Sequence, residues 1–214
     1  HPCRFPQAVL DPSLRATRAV VAGFELMTGQ AEMAMNNAAG SGILPMNQEQ
    51  IRFFWQQAAY FRVAESDDCL VGFLIAMNPD ADYESSNFAW FKARYDAFVY
   101  VDRIVIAKGQ RSAGIGHLFY ADVHSFAEVR APALVAEVFI EKSTHPALLF
   151  PRSFGFHEVG QHQMPDSPLR AAMLYKELCS YPYVQSTYGG QLPPLAWLRG
   201  RRLPFDAGQL ATGT

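Results

Sequence analysis

The stretch Val99-Tyr100-Val101-Asp102-Arg103-Ile104-Val105-Ile106-Ala107-Lys108-Gly109-Gln110-Arg111-Ser112-Ala113-Gly114-Ile115-Gly116 decides how this chain is read. An apolar strand runs into a short polar turn. Arg-x-x-Gly-x-Gly then opens a helix on which Ile115, Phe119, Val123 and Phe126 recur at helical spacing. A strand that feeds a glycine-rich turn at a helix start is a phosphate cradle. Unpaired backbone N–H groups converge there, and the positive end of the helix dipole adds to their pull on an anion. Glycine lets the backbone approach that anion with no Cβ in the way.

Two nucleotide-binding patterns fail on these residues. Gly109 and Gly114 have the glycine spacing of a Walker loop, but Ile115 and Gly116 stand where Lys and Ser/Thr are required. Gly114-Ile115-Gly116 opens like a dinucleotide fingerprint, yet Leu118 and Phe119 follow and the third glycine is missing.

What remains, Arg111-Ser112-Ala113-Gly114-Ile115-Gly116, resembles the Arg/Gln-x-x-Gly-x-Gly/Ala signature of the GNAT superfamily of N-acetyltransferases. The flanking order agrees with it. A second strand follows at 134–140, and Gly155-Phe156-His157-Glu158-Val159-Gly160 looks like the Gly-Phe-x-x-x-Gly segment after the last helix of that family. Ala59-Tyr60-Phe61-Arg62-Val63-Ala64 and Tyr100-Val101-Asp102-Arg103-Ile104-Val105 are similar to segments of bacterial predicted acetyltransferases. The resemblance covers roughly residues 18–178.

The resemblance implies an α/β (α+β) GNAT fold, a mixed central sheet flanked by helices. Its parallel central strands, here 98–107 and 134–140, splay apart to admit a pantetheine arm. The implied cofactor is acetyl-coenzyme A. Ile104, Val105 and Ile106 would bind it through their backbone, and Arg111, Ser112, Ala113, Gly114, Ile115 and Gly116 would take the pyrophosphate. The implied partner is a small-molecule or peptide amine. The first helices and the connection before the central strand would face it, through Asn36, Asn37, Tyr83, Phe88, Trp90 and Tyr95. The asparagines alternatively close a helix C-terminus, and the aromatics alternatively belong to the core.

Acetyl transfer needs a base for the amine, a donor for the developing oxyanion and an exit for the thiolate. Strand alternation puts Phe98, Tyr100, Asp102, Ile104 and Ile106 on one face. Glu137 sits between Val135 and Phe139 on its own strand face. A carboxylate on an apolar face is costly unless it is paired or functional. Asp102 and Glu137 are therefore the candidate bases. Asp102 alternatively pairs with a nearby arginine, and Glu137 alternatively orients substrate or holds a structural hydrogen bond.

The acid is where the resemblance departs from the family. Phe150 and Pro151 stand where many members carry a tyrosine, and Thr144 or His145 stands where an asparagine is usual. Either the thiolate leaves without an acid, as a thiol pKa of about 8.5 allows, or Tyr100 is the substitute acid; Tyr100 is alternatively an ordinary sheet aromatic. With no cysteine near the cofactor motif, direct attack in a ternary complex is expected. A noncatalytic acyl-coenzyme A-binding or sensing module is the rival reading.

Composition bounds the rest. The chain has 214 residues, half of them hydrophobic, which suits one domain with extensions. A net charge of −2 gives no footprint for nucleic acid. Cys3, Cys69 and Cys179 are far apart, and no Cys-x-x-Cys or His/Cys cluster points to a metal. His117 and His124 share a helix face seven residues apart, the spacing of surface histidines rather than a ligand pair. No apolar run nears the ~20 residues of a membrane span, and no signal-peptide pattern opens the chain. Reduced thiols in the cytoplasm are the simplest expectation.

The expected organisation is an arm at 1–17, the acetyltransferase domain at 18–178 and an extension at 179–214. The family resemblance favours a first strand at 19–26 and a helix at 28–37. Asn47-Gln48-Glu49-Gln50 resembles a capping box and predicts a helix over 48–59. Strands are expected at 61–65, 70–77 and 169–178, and a short helix at 88–96. The extension carries Tyr181, Tyr183, Tyr188, Trp197 and Arg199, suited to a homodimer contact, a cleft cover or an adherent terminus.

Overall fold

The computed structural model describes residues 29–40, 42–66, 69–111, 113–140, 146–165 and 168–189. The expected arm and the strand at 19–26 lie outside the described residues, as do Ser112, positions 144 and 145, and the extension beyond 189.

Two helices come first, α1 (Gln30–Ala38) and α2 (Gln48–Gln57). The capping box forms as its sequence requires. Asn47 Oδ1 accepts from the Gln50 amide at 2.8 Å, and Gln50 Oε1 accepts from the Asn47 amide at 2.9 Å. Two orphan donors of the first turn are thereby satisfied. Strands β1 (Tyr60–Ser66) and β2 (Cys69–Met77) follow, then α3 (Ser86–Lys92), capped by the Ser85 hydroxyl. The decisive stretch forms β3 (Val99–Ile106), a 3₁₀ turn at Lys108–Gln110, and α4 (Ile115–Ala127). The chain closes through β4 (Ala133–Ile140), α5 (Leu149–Ser153), β5 (His157–Gln163), β6 (Arg170–Glu177) and α6 (Tyr181–Tyr188).

The six strands make one sheet in the order β1-β2-β3-β4-β6-β5. Every neighbouring pair is antiparallel except β3 with β4. That parallel pair holds together over Val99↔Leu134, Tyr100↔Val135 and Val101↔Ala136 and then separates. The edge of β3 that faces β4 is therefore unpaired from Asp102 onward, while its other edge stays on β2 through Ile106.

Each sheet face carries its own core. On one face, Ile115, Phe119, Tyr120 and Val123 of α4 pack against Leu74, Val101, Leu134 and Leu174. On the other, Ile51 and Phe54 of α2 and Phe88 and Phe91 of α3 cover Phe73, Ile75, Tyr100 and Val135. Burying each large apolar side chain is worth about 1.5–3 kcal/mol against leaving it in water. Gly72 is confined between these layers, since a Cβ there would lie 2.9 Å from the Val105 carbonyl oxygen.

Strand alternation corrects one expectation. Ile75 pairs with Arg103, but Ala76 pairs with Val101, so Asp102 is an extra, bulged residue on β3. A bulge flips every side chain beyond it. Phe98 and Tyr100 join the α2–α3 core, whereas Ile104 and Ile106 pack on the α4 side and Val105 takes the α2–α3 face. Strict alternation through Asp102, which placed Ile104 and Ile106 with Tyr100, does not hold.

Candidate functional site

The gap between β3 and β4 opens a cavity of about 230 Å³, lined among others by Val101, Asp102, Ile104, Ala136, Glu137, Tyr83, Asn87, Tyr120 and Phe150. A second cavity of about 560 Å³ lies above the start of α4, lined by Ala39, Ile43, Ile104, Ile106, Arg111, Gly114, Gly116, His117 and Phe150. Ile43, Ile104 and Phe150 line both.

The upper cavity lies over the glycine-rich turn that opens α4. Gly114 precedes α4 with φ 85°, a left-handed conformation that an L side chain rarely adopts. The amides of the first turn have no side-chain cap. At Gly116 a Cβ would sit 2.5 Å from Phe150 Cζ, so only glycine keeps that ring in place. Ile104, Ile106, Arg111, Gly114 and Gly116 line this cavity together. Ala113 is exposed beside it. The Val105 and Ile115 side chains are buried beneath, leaving only their backbone to contribute. Arg111 donates from Nη2 to the Ala39 carbonyl at 3.1 Å, which ties the turn to the end of α1.

In the lower cavity, Tyr100 donates its hydroxyl to Glu137 Oε1 at 2.7 Å. Glu137 Oε2 is buried without a hydrogen-bond partner of standard geometry among the described residues. Burial first, and the Asp102 charge second, push the Glu137 carboxyl up to about 8, against the pull of Tyr100, Asn87 and Arg103. Burial, then the charges of Glu137 and Asp102, hold the Tyr100 phenol well above its ordinary value. Tyr100 is fully buried and acts on Glu137 rather than on the cavity.

Asp102 is engaged on both oxygens. Tyr83 donates to Oδ1 at 2.5 Å and Arg103 Nε donates to Oδ2 at 2.6 Å. This is the arginine pairing weighed above. Burial alone would lower the Arg103 pKa, but Asp102 and Tyr83 together outweigh it and raise it. Arg103 also donates to Asn36 Oδ1 at 3.0 Å and lies 4.8 Å over the Phe54 ring.

The expected acceptor-side residues divide. Tyr83 lines the gap. Asn36 and Asn37 stand behind its wall. Asn36 donates to the Leu44 carbonyl at 3.0 Å, and Asn37 holds both the N–H and the C=O of Met46, at 2.8 and 2.9 Å. Both lie within the last turns of α1 and staple the connection to α2, whose Gly42, Ile43 and Leu44 line the gap. Phe88 is core. Trp90 covers Gly160 of β5, and Tyr95 packs on Tyr175 with ring centroids 5.1 Å apart. Neither lines the gap.

Two residues escaped the sequence reading. Asn87 is buried, lines the gap and takes His162 Nδ1 on its Oδ1 at 2.8 Å. Tyr120 lines the gap from α4. A polar residue on the buried face of an apolar helix was the signal available for Tyr120. Its helical spacing from Gly116, Val123 and Ala127 places it on that face.

Known structures share this arrangement of strands. Ard1 from Thermoplasma volcanium aligns with a TM-score of 0.55 at 15% identity, over 71% of this chain and 93% of its own. Naa20 from Chaetomium thermophilum, solved in complex with a bisubstrate analogue, aligns with 0.55 at 14% identity, over 72% and 85%. An N-acetyltransferase from Staphylococcus aureus Mu50 aligns with 0.50 at 15% identity, over 69% and 91%. The chain has the GNAT fold. No family model matches it, and no curated protein matches it. Within the GNAT fold, the parallel strands that part after Val101 and Ala136 are the central pair expected from the sequence. No helix among the described residues is long and apolar enough to cross a membrane.

Proposed function

We propose that this protein is an N-acetyltransferase that moves an acetyl group from acetyl-coenzyme A to an amine by direct attack, with Glu137 as the general base. The observation that carries the reading is Glu137 itself, a buried carboxyl set in the gap between the splayed strands, whose Oε2 has no hydrogen-bond partner of standard geometry among the described residues. A base raised to about 8 is matched to an amine near neutral pH, where proton transfer is most effective. The residues fit the cofactor. The uncapped start of α4 suits a pyrophosphate, and the unpaired edge of β3 suits an extended arm carrying amides.

When bound, acetyl-coenzyme A supplies an acetyl group activated by a thiol leaving group. The chain's own parts do the rest. The α4 amides hold the phosphates, Ile104 to Ile106 present backbone to the arm, and Glu137 Oε2 takes a proton from the acceptor nitrogen. Tyr100 and Asn87 orient that carboxyl, and the Asp102–Arg103–Tyr83 cluster sets the wall opposite. The spacing of Cys3, Cys69 and Cys179, with no Cys-x-x-Cys among them, favours reduced thiols, and the cytoplasm is the proposed location.

Calorimetric titration with acetyl-coenzyme A, followed by a panel of amines with thiol release as readout, tests this. Saturable binding and release with at least one amine support it. Saturable binding without release from any amine favours the second reading, a noncatalytic acyl-coenzyme A-binding module. That reading draws on Phe150 and Pro151, neither of which can donate a proton. Absence of binding in folded protein refutes both.

A further inference from the structure

The edge strand β5 is mostly polar, and one of its side chains reaches inward. His162 pairs through its backbone with Ala171 of β6, and its half-buried ring places Nδ1 2.8 Å from Asn87 Oδ1 of α3. A carboxamide oxygen only accepts, so Nδ1 carries the proton and donates it. Asn87 is 2% exposed, deep enough that its polar atoms need partners.

Holding Asn87 by its oxygen decides where its nitrogen goes. The two donors of Nδ2 are turned the other way, and one of them points to Met164 Sδ at 3.8 Å. Met164, Asn87 and Glu137 all line the gap between β3 and β4. The reverse arrangement of the carboxamide would turn its oxygen toward a sulfur and a carboxylate, both of them acceptors. In the arrangement present, Asn87 acts on Glu137 as a donor and pulls its carboxyl downward, since a donor favours the charged form.

We infer that His162 is a positioning residue for the general base: its Nδ1–H fixes the Asn87 carboxamide so that the amide nitrogen faces Glu137. The consequence for catalysis rests on the acetyl-transfer reading above, whereas the hold on the carboxyl does not. Tyr100 grips Glu137 from β3, and the His162–Asn87 pair reaches it from β5 and α3. The ionisable groups around Glu137 are Tyr100, Asp102 and Arg103 of β3, Tyr83 of the connection before α3, and Tyr120 of α4. A change at position 162 replaces none of them.

Two variants carry the test. His162→Leu keeps much of the bulk and removes the donor. His162→Asn keeps an N–H near the place of Nδ1 but cannot become charged, so it separates the hydrogen bond from the charge of an imidazolium. The first readout needs neither coenzyme nor turnover. The Glu137 carboxyl is titrated by carbon-13 NMR in protein labelled at its glutamate side chains, its signal assigned by absence in Glu137→Gln. With Asn87 no longer held, the carboxyl should titrate about half a pH unit or more higher in His162→Leu and as in the parent in His162→Asn. The second readout is the pH dependence of kcat/KM. Its rising limb should move up with the carboxyl in His162→Leu, lowering the rate at neutral pH about three-fold or more, while the plateau at high pH and the coenzyme A affinity stay within about two-fold. An unmoved carboxyl titration in His162→Leu overturns the assignment, and with a lowered melting temperature it marks a structural role. An equal shift in His162→Leu and His162→Asn overturns it as well. A carboxyl that moves as expected, in a protein that releases no thiol with any amine, upholds the hold on Glu137 and refutes the acetyl-transfer reading alone.

Discussion

The Tyr100 hydroxyl donates to Glu137 Oε1 across the parallel pair of strands, at 2.7 Å. Tyr100 pairs with Val135, two residues before Glu137, so the bond spans the last rungs before the strands part. It holds one carboxyl oxygen and leaves the other at the gap. Because the folded carboxyl titrates near 8 rather than 4.5, kcat/KM is expected to rise with pH through an apparent pKa near 8. Glu137→Gln should lower kcat by about 100-fold or more and flatten that limb. A pH–rate profile of both proteins checks it.

The same titration governs stability. A carboxyl raised on folding stabilises the native state fully below its unfolded pKa. That contribution is lost as pH rises from about 4.5 to about 8, because the unfolded chain has already released its proton. The parent should lose about 1 kcal/mol per pH unit across that window relative to Glu137→Gln. Urea midpoints measured from pH 5 to 9 report the widening gap, which should level off once the folded carboxyl has ionised.

Gly116 and Phe150 form a coupled pair. Gly116→Ala drives a methyl into the Phe150 ring tip and should cost about 1–3 kcal/mol, with weaker coenzyme A binding. Phe150→Leu removes the ring and should recover part of that loss in the double variant. Melting temperatures and calorimetric affinities of the four proteins complete the cycle. Gly114 has open space around it, so Gly114→Trp acts through its φ of 85° and by covering the cradle, and should abolish coenzyme A binding.

Asp102 and Arg103 have side chains only 3% and 10% exposed. Arg103→Met leaves Asp102 as a buried charge facing Tyr83 alone and should cost about 3–5 kcal/mol. Adding Asp102→Asn to Arg103→Met should restore much of the stability. Chemical denaturation of both variants checks this, and equal loss in single and double variants would disprove the pairing.

Asn37→Ala removes both partners of the Met46 backbone and should destabilise the fold by about 1–3 kcal/mol. The effect on the acceptor arises through the connection bearing Ile43 and Leu44. Because Gly42 and Leu44 line only the lower cavity while Ile43 lines both, the variant should raise the amine KM more than it weakens coenzyme A binding. Steady-state kinetics with calorimetry separates the two.

Much of the frame was legible beforehand because its signals are local. The capping box of Asn47 and Gln50 needs four residues, and the strand–turn–helix at Val99 to Gly116 needs eighteen. Strands at 60–66, 69–77 and 133–140 follow from apolar runs bounded by turns. The strand β5 was not legible as one, because His157-Glu158-Val159-Gly160-Gln161-His162-Gln163 is polar and gains its place only by pairing with β6. Asn36 and Asn37 were legible as polar residues near a helix end. Their partners include backbone groups up to nine residues away and the Arg103 side chain, which spacing does not reveal.

By itself the sequence determined the glycine turn that opens α4, since a glycine at φ 85° and a glycine under an aromatic ring are local demands that few other residues meet. It also determined that two carboxylates lie on otherwise apolar strands. Tertiary structure decided how each of them is engaged. The bulge arises from pairing with β2, turns Asp102 into the grip of Arg103 and Tyr83, and reverses the faces of Ile104 and Val105. The parting of β3 from β4 leaves Glu137 at an open gap and brings Tyr120 to it from the other side. Pairing register and strand divergence are properties of neighbours in space, and neither is written in the periodicity of a single strand.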